Sequence, residues 1–139
     1  MQPVMSAEEV SAFWAEHFPQ VAGDTSYAIL TVGTGEATLR LTPDDRHLRP
    51  GGTISGPTLF ALADLAAYAV LLAHVGPEPL ILTTNVSINY LRRPPLAPLT
   101  ARSRILKLGK RLAVVETDIA PEGGGEVVAH ATGTYSLPR

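Results

Sequence analysis

Residues 55–64 read SGPTLFALAD, a glycine-containing turn followed by the start of the longest apolar segment of the chain. Between Pro57 and Val75 the only charged residue ahead of His74 is Asp64, and its neighbours three and four positions away are alanines and aromatic residues. An ionised carboxylate on such a helix face costs several kcal/mol unless it is paired or hydrogen-bonded, or its pKa rises. Positions that tolerate this cost are often functional, so Asp64 is the first candidate for a catalytic residue.

The apolar segment is predicted to form a helix from Pro57 to Val75. Pro57 suits the first turn, where its missing N–H costs nothing, and Gly76-Pro77 follows just past the end. Within that helix Asp64 has a second interpretation, as a structural carboxylate paired with an arginine of the core. The candidates for this pairing are Arg40, Arg102 and Arg104.

The composition is that of one ordered, globular domain of 139 residues, with 45% hydrophobic residues. The formal net charge of -2 gives no basic excess, so we expect no nucleic-acid partner and no membrane attachment. The chain has no cysteine, which excludes disulfides, thiolate metal sites and a cysteine nucleophile. Its histidines are scattered without the spacing of a zinc site, so no metal is expected either. The N-terminus lacks the features of a signal sequence, and we expect a soluble, cytoplasmic protein.

The rest of the chain is predicted to supply one short helix and six strands. Ser6 and Glu9 form a capping-box pattern, so a helix should run from there to about Phe18. Segments rich in β-forming residues between turn signals then predict the strands, which are 26–31, 37–42, 80–91, 99–108, 111–119 and 126–136. This order predicts an α+β fold, in which a curved antiparallel sheet packs its concave face on the long central helix.

Residues 49–64 resemble the signature Asn-x-x-Gly-x-x-His-Gly-Gly-x-x-x-x-Leu-x-Asp of hotdog-fold thioesterases of the phenylacetate-pathway type. Gly52, Gly56, Leu62 and Asp64 match in register, and residues 83–94 also look like the strand that follows the helix in that family. Arg49, Ser55 and Pro57 depart from the signature, where the family has Asn, His and a second Gly. The resemblance implies a single hotdog domain over residues 1–139 with acyl-CoA thioesterase activity.

The resemblance also implies a role for each matching position. Asp64 acts on the thioester carbonyl, as nucleophile or as general base for water. The N–H of Gly56, at the positive end of the helix, polarises that carbonyl. Thr83 matches a hydroxyl that holds the attacking water, and Thr84 is an equally near alternative. Arg49 takes the place of an amide, and it either acts on Asp64 and the intermediate or points outward.

The substrate-binding residues implied by the resemblance surround this set. Ser55 caps the helix beside Pro57, and Phe60 and Tyr68 are expected along the acyl pocket. Two basic loops are candidates for the phosphates of coenzyme A, although a solvated surface is their ordinary interpretation. They contain Arg92 and Arg93 in the first loop and Lys110 and Arg111 in the second.

The expected activity is hydrolysis of a small aliphatic or aryl acyl-CoA, with no cofactor beyond the coenzyme A of the substrate. Family members form dimers or dimers of dimers whose sites lie between subunits, with the helix start from one chain and the aspartate from the other. One alternative is a non-catalytic acyl-CoA-binding protein that lost turnover through its departures from the signature. A second is a hotdog hydratase or dehydratase, which usually needs a histidine beside the carboxylate.

Overall fold

The long helix at the centre of the fold starts and ends where its flanking residues predict. In the computed structural model, which describes residues 1–138, helix α3 spans Gly56–Val75. The side chain of Ser55 accepts a hydrogen bond from the N–H of Thr58 at 3.2 Å and caps the first turn. Gly76, with a φ of 114°, ends the helix in a conformation that disfavours other residues. The predicted helix is therefore confirmed, with one additional residue at its start.

A six-stranded antiparallel sheet curves around α3. Its strands are β1 Tyr27–Gly33, β2 Glu36–Leu41, β5 Leu82–Tyr90, β6 Leu99–Leu108, β7 Leu112–Pro121 and β8 Ala129–Ser136, and a separate two-stranded sheet pairs β3 Leu48–Arg49 with β4 Thr53–Ile54. The order across the large sheet is β1-β2-β6-β7-β8-β5. Alternate residues of β2, β6, β7 and β8 are buried against the helix, which confirms the predicted layout.

The remaining helices lie before the sheet and in the connection to α3. Helix α1 spans Ala7–His17 and begins with the capping box predicted at Ser6 and Glu9. Pro19 ends α1 as expected, but it also starts a one-turn helix, α2, over Pro19–Ala22, because proline suits the first helical position. A 3-10 helix at Asp45–His47 precedes β3. Sequence patterns predicted neither of these short helices.

By length and composition α3 could cross a membrane, but 61% of its most apolar 18-residue window is buried inside the fold. The buried residues of α3 form one hydrophobic core with the concave face of the sheet. The apolar character of the helix is therefore explained by its central position.

Strand β5 lies at an edge of the sheet and pairs with β8 on one side only. Seven of its nine residues are exposed, unlike those of the strands inside the sheet. Its outer backbone edge can therefore accept another strand.

The hairpin between β1 and β2 is joined to α3 through a buried histidine. His74 is 8% exposed, and its Nδ1 lies 2.8 Å from the carbonyl oxygen of Val70. Since that carbonyl can only accept, Nδ1 donates, and Nε2 accepts the N–H of Gly35 at 2.8 Å. One neutral imidazole thus satisfies a backbone donor and a backbone acceptor.

We expect His74→Phe to lower the free energy of unfolding by about 1–3 kcal/mol, because the buried N–H of Gly35 loses its partner. Urea unfolding followed by circular dichroism measures the difference. His130→Phe, on the outer face of β8, is the control, because it removes only a partly exposed ion pair with Glu116 and should change stability by less than about 1 kcal/mol. Equal losses in the two variants would argue against a structural role for the His74 hydrogen bonds.

Candidate functional site

Two hydroxyl groups donate hydrogen bonds to the carboxylate of Asp64. The oxygen Oδ1 accepts a hydrogen bond from Thr83 Oγ1 at 2.8 Å and a second from the Tyr135 hydroxyl at 2.9 Å. Asp64 itself is partly exposed, on the third turn of α3. The carboxylate thus has polar partners on one side and open space on the other, as a reacting group requires.

The alternative that Asp64 pairs with a core arginine is wrong. Each of the three candidates instead forms an ion pair elsewhere in the protein. The pairs are Arg40 with Glu122, Arg102 with Glu36, and Arg104 with Glu116 and Asp118. Their carboxylate partners lie in the sheet and its turns, so none of these arginines neutralises Asp64.

The register of β5 against β8 explains why both hydroxyls reach Asp64. Thr83 and Tyr135 are directly opposite each other, and side chains at such positions lie on the same face of a sheet. An irregularity follows, because Asn85 pairs with Thr134 and leaves Thr84 as an extra residue in β5. Of the two threonines that the sequence left open, the structure therefore places Thr83 against Asp64, whereas Thr84 is exposed.

Tyr135 was not predicted as a site residue, although the pattern of β8 contains a signal for it. The alternating residues 129, 131 and 133 that face the helix are all alanine or glycine, and Tyr135 is the one large side chain to follow them. It is only 2% exposed. Burial, together with the charge of Asp64 and the hydrogen bond to it, raises the pKa of the Tyr135 hydroxyl above its ordinary value.

A cavity of about 330 Å³ opens beside Asp64. Its walls are mostly apolar and aromatic, and they include Phe18, Leu65, Tyr68, Ile81 and Leu82. The ring of Tyr68 stacks on that of Trp14, with 6.0 Å between the centroids, so α1 holds this wall in place. Burial raises the pKa of the Tyr68 hydroxyl.

Phe60, which was expected along the same pocket, is not among the residues that line this cavity. It is 38% exposed, one turn before Asp64 on α3.

The first turn of α3 lines a different cavity, of about 630 Å³. Gly56 lies in its wall, and the carbonyl oxygen of Gly56 accepts a hydrogen bond from the Tyr90 hydroxyl at 3.0 Å. Arg49, Arg92 and Arg93 are exposed around the same cavity, whereas Pro57 is exposed outside its lining. Pro57 has no N–H and the N–H of Thr58 is bonded to Ser55, so this end of the helix combines the N–H of Gly56 with positive side chains.

The three arginines differ in their hydrogen bonds and ion pairs. Arg92 donates to the carbonyl of Val127 and forms an ion pair with Glu126 at 3.1 Å. No ion pair of Arg49 or Arg93 occurs within residues 1–138. Arg49 accordingly lies beside Gly56, and within one chain it makes no contact with Asp64.

Within one chain, Gly56 and Asp64 do not face a common site. They are eight residues apart on α3, which is about 12 Å along a helix axis, and they line different cavities. The second basic loop, which contains Lys110 and Arg111, is on the Asp64 side. Leu112, the next residue, pairs with Ser136, and Ser136 also pairs with Leu82, which lines the Asp64 cavity. A single chain thus has two separate cavities at the two positions, each with a basic loop nearby.

Comparisons with known proteins agree with this architecture. Residues 51–128 match the family model of the thioesterase superfamily. A crystal structure from Silicibacter sp. TM1040, described as a "putative thioesterase", is 43% identical, covers 100% of this chain and 96% of that chain, and has a TM-score of 0.90. A mutant of the phenylacetic acid degradation protein PaaI from Thermus thermophilus is 28% identical over 86% of this chain and 99% of that one, with a TM-score of 0.74. A "putative esterase" of Saccharolobus solfataricus is 30% identical over 76% of this chain and 69% of its own length.

Proposed function

Because the chain belongs to the thioesterase superfamily and has the fold of its thioesterase neighbours, we propose that it hydrolyses an acyl-CoA thioester to the free acid and coenzyme A. The observation that supports this proposal most directly is that the two cavities supply different catalytic groups. One cavity has the carboxylate of Asp64 beside apolar walls, and the other has the N-terminus of α3 among arginines. In this proposal the complete site forms between two subunits.

The open edge of β5 offers a way to bring the Asp64 cavity of one chain next to the Gly56 cavity of a second chain. If the β5 strands of two copies pair antiparallel about a two-fold axis near Val86, Thr83 of one chain lies opposite Asn89 of the partner subunit. Tyr90 follows Asn89 and contacts Gly56, so this pairing brings the Asp64 cavity of one chain towards the partner subunit's Gly56. The same pairing covers the exposed strand edge.

In the composite site, Asp64 and the N–H of the partner subunit's Gly56 act on the same thioester. The thioester carbonyl oxygen lies near the N–H of the partner subunit's Gly56, where the helix N-terminus stabilises the negative charge that develops during attack. Asp64 either attacks the carbonyl carbon or removes a proton from the attacking water. If Asp64 attacks, breaking the carbon–sulfur bond leaves the acyl group on Asp64 as an anhydride, and water then hydrolyses this anhydride to the acid and the free carboxylate. If Asp64 acts as the base, water adds to the carbonyl carbon and the carbon–sulfur bond breaks to give the acid. In both routes a proton from the water passes to the departing sulfur, which leaves as the thiol of coenzyme A.

The cavity beside Asp64 suits a small aliphatic or aryl acyl group, because its walls are apolar and aromatic. Arg49, Arg92 and Arg93 surround the Gly56 cavity and are placed to bind the phosphates of coenzyme A. Lys110 and Arg111 remain candidates for the same role from the Asp64 side. The reaction needs no cofactor beyond the coenzyme A of the substrate, and we expect it to take place in the cytoplasm.

A panel of acyl-CoAs with a thiol-reactive dye tests the proposal directly. We expect release of coenzyme A from at least one small aliphatic or aryl substrate. Binding of coenzyme A without any turnover would instead support the non-catalytic alternative. Light scattering on the same sample should give the mass of a dimer or a dimer of dimers, and a fully active monomer would contradict the composite site.

We expect Arg49→Ala to raise KM for the acyl-CoA by about 2- to 5-fold and to leave kcat nearly unchanged, because an exposed arginine contributes a modest ion pair to a phosphate. A short acyl thioester without the nucleotide should show no such difference between the variant and the wild type. A large loss of kcat with both substrates would instead indicate that Arg49 acts on the reacting carbonyl or on Asp64.

A further inference from the structure

We propose that Tyr135 is a positioning residue that determines which oxygen of Asp64 reacts, and that glycine is required at position 133 to leave room for its ring. This inference rests on the proposed thioester hydrolysis and names residues that the family signature does not contain. The two hydrogen bonds to Asp64 are both accepted by the same carboxylate oxygen.

The two donors leave the second oxygen of the carboxylate available. Within residues 1–138 the hydrogen bonds to the Asp64 side chain come from Thr83 and Tyr135, and both go to Oδ1. The Asp64 side chain lines the cavity, so Oδ2 is the oxygen left without a protein donor. An oxygen without a donor is the better nucleophile or base, because a hydrogen bond stabilises its lone pairs. The geometry therefore assigns the reaction to Oδ2.

The carboxylate of an aspartate rotates easily about χ2, so hydrogen-bond donors are needed to fix its orientation. Thr83 lies next to the extra residue Thr84, where the register of β5 against β8 shifts. Tyr135 lies on β8, between β7 and β5, and its ring is buried. Tyr135 is thus the more rigid of the two donors and fixes the rotation of the carboxylate.

The Tyr135 hydroxyl is a permanent donor in this arrangement. Burial raises its pKa above the ordinary tyrosine value of 10.0, so the hydroxyl is protonated at neutral pH. It can therefore donate a hydrogen bond to Asp64 Oδ1 without giving up its proton. This separates Tyr135, which positions the acid, from Asp64, which reacts.

The position of the Tyr135 ring depends on Gly133, two residues earlier on the same face of β8. A Cβ built at Gly133 would lie 2.7 Å from Cε1 and 3.0 Å from the hydroxyl oxygen of Tyr135. Real Cβ atoms essentially never approach other atoms so closely. A side chain at position 133 would therefore displace the ring and move its hydroxyl away from Asp64.

The first test is Tyr135→Phe, which removes the hydroxyl and keeps the ring. We expect kcat to fall by about 10- to 100-fold, as for a lost hydrogen bond to a charged group, with KM unchanged within about twofold. The melting temperature should remain close to that of the wild type. Tyr27→Phe, on the far edge of the sheet, is the matched control and should leave both kinetic constants unchanged.

The second test uses Gly133→Ala, which keeps the hydroxyl but displaces it. Its kcat should fall by a similar factor, and the double variant Gly133→Ala/Tyr135→Phe should fall no further than Tyr135→Phe alone, because the same hydrogen bond is already lost. Gly123→Ala, at a turn with nothing within 4 Å of the added methyl group, is the control for the glycine substitution.

The outcomes separate this inference from the proposed function. If the wild type turns over acyl-CoA and Asp64→Asn does not, but Tyr135→Phe keeps its kcat, Tyr135 is only a core residue and the inference is wrong. If the losses of Gly133→Ala and Tyr135→Phe multiply in the double variant, Gly133 acts independently of the Tyr135 hydroxyl, which also overturns the inference. If the wild type shows no turnover with any thioester, it is the proposed function that fails.

Discussion

Asp64→Asn is expected to lower kcat for the best acyl-CoA substrate by at least about 10³-fold, because it removes the group that attacks or activates water. The amide has the same shape as the carboxylate, and its oxygen can still accept the hydrogen bonds from Thr83 and Tyr135. The fold should therefore be preserved, and KM should change little. Release of coenzyme A, measured with the purified variant at saturating substrate, gives the comparison.

Asp45→Asn is the control for this substitution, since Asp45 is an exposed residue of the 3-10 helix away from both cavities. It should retain the activity of the wild type. Turnover by Asp64→Asn within a few-fold of the wild type would exclude Asp64 from the reaction and contradict the proposed mechanism.

The second large effect is expected at Gly56, where the backbone N–H is the group that matters. Gly56→Pro removes this N–H, and it is best made together with Pro57→Ala, so that proline moves from the second helical position to the first. Proline suits the first position, and the change of residue at position 57 avoids the strain of a helical residue before proline. We expect kcat to fall by about 10²- to 10³-fold, as for the loss of one oxyanion-hole donor.

Pro57→Ala alone is the matched control, because it keeps the N–H of Gly56 and changes only an exposed residue outside the cavity lining. Its kcat should stay near that of the wild type. If both variants are equally active, the helix N-terminus does not stabilise the transition state.

The same two defective proteins test whether the site is shared between subunits. When Asp64→Asn is refolded together with Gly56→Pro/Pro57→Ala, about half of the random dimers are mixed, and each mixed dimer has one intact site out of two. The mixture should therefore recover about a quarter of the wild-type activity. A mixture as inactive as its components would mean that Gly56 and Asp64 of one chain act together.

Local patterns in the sequence predicted the fold well. The helix from Gly56 to Val75, its serine cap and the glycine that ends it depend on residues close together in the chain, so they could be predicted directly. Segments rich in β-forming residues between turn signals likewise predicted all six long strands, within a few residues at their ends. Asp64 was identified as a candidate by the same local reasoning, since a single carboxylate in an apolar helix is visible without any tertiary contact.

The partners of Asp64 were decided by the tertiary structure. Tyr135 is 71 residues away from Asp64, and the choice of Thr83 over Thr84 depends on an irregularity in the pairing of β5 with β8. Periodicity determines the face on which a residue lies, but it does not determine which strands become neighbours or in what register. Those follow from packing the whole sheet around α3, and the same packing places Gly56 and Asp64 in separate cavities, about two helical turns apart.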